Sequence, residues 1–279
     1  MKISNLKLKN RIFLAPMAEV NDIAFRLLCK KAGCGLTYTG MINPLTKQKL
    51  FLDDKPALQL FSTSSKGIKD FIKKYEKKVS LFDFNLGCPA KTAKKLGFGV
   101  FLHNKLETIE EILKEMREST KKPITIKLRK SKETLKILKI AEKYCDAITI
   151  HPRTQEQRYS GEPDIKFAEQ IKKLTSLPII YSGNVNEKNI SEFLEKFDAV
   201  MIGRRAIGNP NIFAILSNKK IRFEFLDYLN LAKKYKLPFA QIKSQAMNFT
   251  KSMIGAKKLR RQIIKIKTLK EIENIFNNS

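Results

Sequence analysis

Cys88 stands between Gly87 and Pro89, just after a run, Leu81–Asn85, that reads as a strand. A cysteine in a loop just after a strand, at what would be a barrel mouth, is placed where a catalytic thiol could sit. The plainer alternative is an inert cysteine packed as a small apolar group. Lys127 lies inside the apolar run Ile124–Leu128. An ammonium turned into a core is costly unless it meets an anion; otherwise the side chain sits at a strand end and reaches solvent. Gln59, within Leu58–Phe61, offers a donor and an acceptor to the edge of a heterocycle, or else one hydrogen bond to backbone. His151 opens a loop with Arg153 two residues on. It suits a donor to a cofactor or substrate carbonyl, or an ordinary strand-end hydrogen bond. Ser182–Gly183–Asn184 and Gly203–Arg204 follow two consecutive strand-like runs. Glycine lets backbone N–H groups approach an anion and arginine adds charge, so the pair suits a phosphate-bearing cofactor. Each glycine alone is equally explained by a tight turn.

Metal chemistry finds little support. The chain has two histidines, and one His without a second His or a nearby Cys makes no metal site. Its four cysteines form neither a CxxC pair nor a cluster, which fits reduced thiols in a cytoplasmic protein. Cys29 and Cys145 fall in helical patterns and read as core; Cys34 suggests no role. His103, in a loop before a helix, reads as a surface residue.

These residues need a frame that gathers them. Short apolar, β-branched runs recur at Ile12–Ala15, Leu36–Gly40, Ala57–Phe61, Leu81–Asn85, Ile124–Leu128, Ala147–Ile150, Ile179–Ser182 and Ala199–Ile202. Amphipathic stretches separate many of them, such as Ile68–Lys77, Thr108–Ser119, Thr134–Tyr144, Ile165–Leu174 and Glu187–Lys196. Runs apolar on both faces, alternating with helices, imply parallel pairing. Eight of them predict an α/β fold, a closed parallel (β/α)8 or TIM barrel. The loops after the strands then meet on one face, where such barrels build their sites.

The barrel pattern ends near Leu216 and a polar stretch follows. The predicted domains are 1–217, a catalytic barrel, and 218–279, a basic helical domain with helices over Ala240–Ile254 and Leu259–Phe276. Across the 279 residues, 55 Lys and Arg stand against 27 Asp and Glu, a net charge of +28. From Asn218 onward 15 Lys and Arg stand against 4 Asp and Glu. Such a field attracts polyanions, nucleic acid first and an anionic membrane surface second; the plainer alternative is a set of solvated lysines. No apolar run approaches the roughly 20 residues that cross a bilayer. No signal peptide is expected, and no membrane or stable protein partner.

The motifs together resemble the tRNA-dihydrouridine synthases over nearly the whole chain. They are Ala15-Pro16-Met17-Ala18-Glu19-Val20-Asn21-Asp22 with Phe25-Arg26; Asn85-Leu86-Gly87-Cys88-Pro89-Ala90 with Gly97 and Gly99; Ile150-His151-Pro152-Arg153-Thr154 continuing to Tyr159-Ser160-Gly161; and Gly203-Arg204 running into Gly208-Asn209-Pro210. Each is short, but four in order and spacing are specific. The tail with Phe249, Lys257, Lys258, Arg260 and Arg261 is similar to the family's small tRNA-binding domain, less closely. Departures are Glu19 and Asn21, where a small residue and Thr are usual, and Asn184, where some members carry Asp.

The resemblance implies FMN on the barrel, reduced by NADPH or NADH, and tRNA as substrate. It places Pro16, Met17 and Ala18 along the flavin ring, Gln59 and Lys127 at its pyrimidine edge, and His151 beside it. It gives Ser182, Gly183, Asn184, Gly203 and Arg204 to the phosphate. Asn85 and Arg153 would contact the uracil, and Lys257, Lys258, Arg260 and Arg261 the tRNA. Hydride would pass from flavin N5 to uracil C6, with a proton from Cys88 to C5, giving 5,6-dihydrouridine. Two rivals remain: an FMN barrel dehydrogenase acting on a free pyrimidine, which leaves the charge unexplained, and a non-catalytic RNA-binding protein, which leaves Cys88, Lys127 and His151 unexplained.

Overall fold

The computed structural model describes residues 1–253 and 255–277. The chain opens with a short antiparallel hairpin, β1 (Lys2–Ile3) and β2 (Leu6–Lys7). Seven parallel strands follow: β3 (Ile12–Leu14), β4 (Ala57–Leu60), β5 (Leu81–Leu86), β6 (Ile124–Arg129), β7 (Ala147–His151), β8 (Ile179–Tyr181) and β9 (Ala199–Ile202). They lie in the order β3-β9-β8-β7-β6-β5-β4, so β3 and β4 are the two edges. Each expected strand ends within a residue of its observed bounds, except the second.

That second run, Leu36–Gly40, lies in the gap between the edges but pairs only at isolated positions, Leu36 with Phe13 and Tyr38 with Ala57. Leu14 N donates to Leu36 O at 3.0 Å and Ala57 N to Thr37 O at 2.8 Å, so the ring closes through this segment. Its ladder is irregular because side chains enter it. Gln59 N donates to the Thr39 hydroxyl at 3.1 Å instead of a carbonyl, and the Thr37 hydroxyl is drawn to Asp54 at 2.7 Å.

Strand alternation sorts the side chains into two cores. The inner one holds Phe13, Leu36, Tyr38, Ala57, Leu81, Ala147, Ile180, Ala199 and Met201, and Ile3 of the hairpin seals it. Since Ala57, Leu81, Ala147 and Ala199 begin their strands, the hairpin plugs the N-terminal end. The outer core packs strands against the helices α1 (Ile23–Lys31), α2 (Ile68–Tyr75), α3 (Lys91–Leu96), α4 (Leu106–Ser119), α5 (Thr134–Tyr144), α6 (Ile165–Lys173), α7 (Ile190–Lys196) and α8 (Ile212–Leu216).

Among the described residues four more helices follow: α9 (Phe225–Lys234), α10 (Phe239–Phe249), α11 (Ala256–Lys265) and α12 (Leu269–Asn277). The helix expected over Ala240–Ile254 ends at Phe249, passing into a 3₁₀ turn over Thr250–Ser252; Ile254 lies outside the described residues, as do residues 278–279 of the expected tail. The helix expected over Leu259–Phe276 is two helices. The break is a capping box: Glu271 accepts from Thr268 N at 3.0 Å while Glu271 N donates to the Thr268 hydroxyl at 3.3 Å. Thr268-x-x-Glu271 was legible, but the apolar spacing on both sides masked it.

The outer core runs without interruption into these helices through Phe225, Tyr228, Ile242, Phe249 and Ile272. Phe225 stacks on Phe276 with centroids 4.0 Å apart and meets Phe249 edge-on at 5.7 Å. The polar joint is Asp22. Its carboxylate caps α1 at Phe25 N (3.0 Å) and accepts from Gln245 (2.8 Å), Gln241 (2.9 Å) and Tyr228 (3.2 Å). Gly208 is pressed against the end of α10 at a φ of +70°, where an added Cβ would stand 2.0 Å from Asn248 O. Gly208→Ala should therefore destabilise the fold: the left-handed backbone alone costs about 1–2 kcal/mol and the overlap adds to it. Denaturant midpoints would register this; an unchanged midpoint would mean that α10 rides loosely on the barrel.

Candidate active site

The C-terminal ends of the strands surround a cavity of about 770 Å³. Every barrel residue singled out in the sequence lines it: Pro16, Met17 and Ala18 after β3; Gln59; Asn85 and Cys88; Lys127; His151 and Arg153; Ser182, Gly183 and Asn184; Gly203 and Arg204. The register explains the convergence. Asn85 pairs with Lys127 across β5 and β6, and Arg129 with His151 across β6 and β7.

A chain of amides runs up one wall. Gln59 Nε2 donates to Asp83 Oδ2 at 2.6 Å, and Asn85 Nδ2 donates to Gln59 Oε1 at 2.8 Å. Asn85 Oδ1 in turn accepts from the backbone N–H of Gly87 (3.2 Å) and Cys88 (3.0 Å). Gln59 is thus tied to side chains of the barrel interior, while keeping one N–H and one lone pair. The Cys88 loop is held from three sides. Asn85 takes its N–H groups, Arg129 Nε donates to Gly87 O at 2.9 Å, and Gly99 packs beneath it. Gly99 has a φ of +66°, and a Cβ there would lie 2.7 Å from Cys88 O, so glycine is required.

Lys127 is half-buried with its head in the cavity. Among the described residues it makes no ion pair. Burial pushes its ammonium down to about 8; Arg129 adds to the shift and Asp83 opposes it. Asp83 is wholly buried and is pushed up to about 7 by that burial, against the hydrogen bonds of Thr125 and Gln59. His151 is held far below its ordinary pKa by burial and by the charges of Lys127, Arg129, Arg153 and Arg204. Its Nε2 lies 3.2 Å from Arg153 Nη1. A guanidinium only donates, so Nε2 is the acceptor and the proton sits on Nδ1. His151 is therefore neutral with a defined tautomer.

Arg153 is itself buried and spends other donors on Ser160 O (3.2 Å) and Gly161 O (2.6 Å). At the far end of the cavity, Gly203 leads into a 3₁₀ turn over Arg204–Ala206. Arg204 reaches Asn184 Oδ1 (3.1 Å) and Tyr159 O (3.2 Å), and Asn184, at a φ of +48°, also bonds Glu162 at 2.9 Å. A Cβ on Gly183 would meet Pro163 and the Tyr181 hydroxyl, each at 3.2 Å, so the turn is packed tightly against both.

Four side chains, three lining the cavity and Asp83 buried beneath it, were missed as having a role. Asp83 and Arg129 sit among apolar neighbours and read as interrupted strand; Met41 had no signal. Tyr159 lies between the guanidinium groups of Arg129 (5.3 Å) and Arg204 (5.2 Å), and only its place in the third motif marked it. His103 corrects an expectation: it is 3% exposed, with Nε2 2.6 Å from Leu86 O and Nδ1 2.8 Å from the Ser131 hydroxyl, and so braces the end of β5. The tail cations stand apart from the cavity. Lys257, Lys258 and Arg261 are exposed on α11, whereas Arg260 is half-buried and donates to the Thr250 hydroxyl at 2.8 Å.

A parallel barrel whose strand ends gather a thiol, amides and cations has the architecture of the TIM-barrel enzymes. Solved structures share it. Morphinone reductase in complex with tetrahydroNAD is 12% identical with a TM-score of 0.52, covering 76% of this chain and 87% of that one. The old yellow enzyme homologue from Zymomonas mobilis is 11% identical at 0.55, covering 87% and 94%. At those identities the likeness is one of fold. The profile of the dihydrouridine synthase family matches residues 13–276, and the chain belongs to that family of flavin-dependent oxidoreductases. The tRNA-dihydrouridine synthase B of Pasteurella multocida (strain Pm70) is 32% identical over 241 residues, 78% of this chain and 72% of the relative. That of Escherichia coli (strain K12) is 29% identical over 264 residues, 87% and 82%.

The lowered pKa of Lys127 carries a stability signature. Its folded value of about 8 lies below the ordinary 10.5, so between them the unfolded chain binds the extra proton and stability rises with pH. The stabilising increment from Lys127→Met should accordingly be largest below pH 8 and shrink towards pH 10. Urea midpoints of both proteins at a neutral and an alkaline pH test this; a constant difference would mean that Lys127 titrates normally.

Proposed function

We propose that this protein uses FMN to reduce specific uridines of tRNA to 5,6-dihydrouridine, with NADPH or NADH as reductant. The observation that carries the reading is the Cys88 loop, fixed by Asn85, Arg129 and Gly99 over a cavity that also holds an ammonium without an ion-pair partner, Lys127. The residues fit the cofactor. The Lys127 ammonium beside the free donor and acceptor of Gln59 suits a pyrimidine edge that carries negative charge. Gly203–Arg204 and Ser182–Gly183–Asn184 suit its phosphate, and Pro16, Met17 and Ala18 offer a wall for its ring.

Bound FMN would supply the hydride for uracil C6. The chain's own groups do the rest. Asn85 and Arg153 donate to the uracil oxygens, stabilising the enolate-like charge that develops there. Cys88 delivers a proton to C5 and recovers it from solvent. Neutral His151, with its proton on Nδ1, stands beside the ring as a donor that adds no charge. The target base must leave its stack, at a cost of a few kcal/mol, least for a loop base.

The tRNA lies against the basic surface, with the predicted helical domain, 218–279, as one part of its seat. Lys257, Lys258 and Arg261 are placed to meet phosphates; Arg260 holds α11 to Thr250 instead. Among the described residues no helix is long and apolar enough to cross a membrane.

Two experiments test the reading. Unmodified tRNA incubated with FMN-loaded protein and NADPH should gain two hydrogens on uridine by nucleoside mass analysis. Cys88→Ala should keep its flavin but lose at least about 100-fold in rate. Normal turnover in that variant would remove Cys88 as the acid. Separately, neutralising Lys257, Lys258 and Arg261 should weaken tRNA binding and flatten its salt dependence by about one unit of slope per lost phosphate contact. An unchanged slope would leave these cations merely solvated.

A further inference from the structure

Asp83 touches neither the cavity nor the solvent, yet it ends the amide chain that reaches both Asn85 and Cys88. We propose that Asp83 is a positioning residue: together with the backbone N–H groups of the Cys88 loop at the other end, it holds the donor–acceptor polarity of Gln59 and Asn85, so that Asn85 meets its ligand only as a donor.

The polarity follows from the two ends. At the upper end stand backbone N–H groups of Gly87 and Cys88, which only donate, so the atom of Asn85 facing them is Oδ1. Nδ2 then faces Gln59, which must present Oε1, and Gln59 Nε2 must find an acceptor below. Asp83 Oδ2 is that acceptor, at 2.6 Å. The lower end tolerates protonation, because the second carboxyl oxygen meets the Thr125 hydroxyl, which can donate or accept. A neutral Asp83 thus keeps Oδ2 as the acceptor and the chain keeps its direction. What remains free at the top is the second N–H of Asn85. It is turned to Met41 Sδ at 3.9 Å, a weak acceptor that a carbonyl oxygen displaces readily.

In its consequence for substrate this rests on the uridine reading above. Uracil presents carbonyl oxygens at C2 and C4, whereas cytosine carries an amino group at C4. An Asn85 locked as donor and turned to the C4 position bonds the uracil oxygen and repels the cytosine amino group. Were the amides free to flip, Asn85 would serve either base, and the N–H groups of the Cys88 loop would lose their acceptor.

Three variants test the proposal in FMN-loaded protein. Asp83→Asn can keep the chain, since its Oδ1 accepts from Gln59 while its amide donates to Thr125. Asp83→Ala removes the acceptor. Asp83→Asn with Thr125→Val keeps the volume but leaves the new amide no partner at the lower end. The first readout is hydrogen exchange of the Gln59 and Asn85 side-chain amides. The second is turnover on tRNA, with kcat and KM separated. We expect Asp83→Asn to resemble the parent in both. In Asp83→Ala and the double variant, exchange should accelerate at least about tenfold and kcat should fall by about tenfold, with KM for tRNA moving less than about threefold. Slow exchange in Asp83→Ala, or Asp83→Asn failing as far as Ala, overturns the proposal. Should Asp83→Ala not fold, the near-isosteric double variant against Asp83→Asn decides it. If the parent reduces no uridine, the exchange readout still judges the chain while the uridine reading falls alone.

Discussion

The parallel register of β5, β6 and β7 is the constraint on which the site depends. Side chains alternate along each strand, so the residues facing the helices choose those facing the interior. Ile126 and Leu128 on β6 and Ile148 and Ile150 on β7 are fully buried in the outer core. A slip of one residue would exchange them for Thr125, Lys127, Thr149 and His151, placing an ammonium and an imidazole among helix side chains with nothing to bond. Burial of apolar area in the outer layer thereby enforces the polar layout of the inner one. This also explains how a barrel interior carries Asp83, Thr125 and Thr149, where branched apolar side chains usually fill the layers. The stability lost inside is supplied outside, between strand and helix.

The same economy joins the helical part to the site. The loop that leaves β3 lines the cavity with Pro16, Met17 and Ala18, then continues through Glu19 and Val20 to Asp22. Three of those later residues are held by α10: Gln241 donates to Glu19 O at 2.9 Å, Gln245 to Val20 O at 2.6 Å, and both to Asp22. Burial raises the pKa of Asp22, and its hydrogen bonds to Gln245, Phe25 and Gln241 oppose that shift. A wall of the cavity is therefore fastened to the helices that carry the exposed cations of α11, and the two parts share one apolar core.

What the sequence disclosed follows from the same physics. Strands buried on both faces leave long apolar runs, so seven were legible to within a residue. Gly99, whose left-handed backbone and close approach to Cys88 O leave no room for a Cβ, falls inside a motif because no other residue suits it there. The run at Leu36–Gly40 was visible as a strand, but its ladder depends on two threonine hydroxyls whose partners, Gln59 N and Asp54, lie far along the chain. Asp83, Arg129 and His103 were illegible or misread for one reason. Their partners are Gln59, Gly87 and Leu86, reached across strands or loops, and no local spacing encodes such a meeting. Arg260 and Arg261 are adjacent and identical in type, yet one packs on Thr250 and the other faces solvent, a choice that only the helix face decides.

The cavity's charge is preserved by the kind of acceptor it uses. Lys127, Arg129, Arg153 and Arg204 all line it, and among the described residues none of them is ion-paired with a carboxylate. The guanidinium groups are satisfied by carbonyl oxygens: Gly87, Thr154 and Arg158 for Arg129, Ser160 and Gly161 for Arg153, and Tyr159 for Arg204. A carboxylate would have satisfied the same N–H groups but cancelled the charge. Neutral carbonyls meet the hydrogen-bonding requirement and leave the field in place. Burial is the larger cause that keeps His151 neutral and lowers the proton affinity of Lys127, and the field adds to both, through Arg129 in the case of Lys127, while favouring an anion in the cavity.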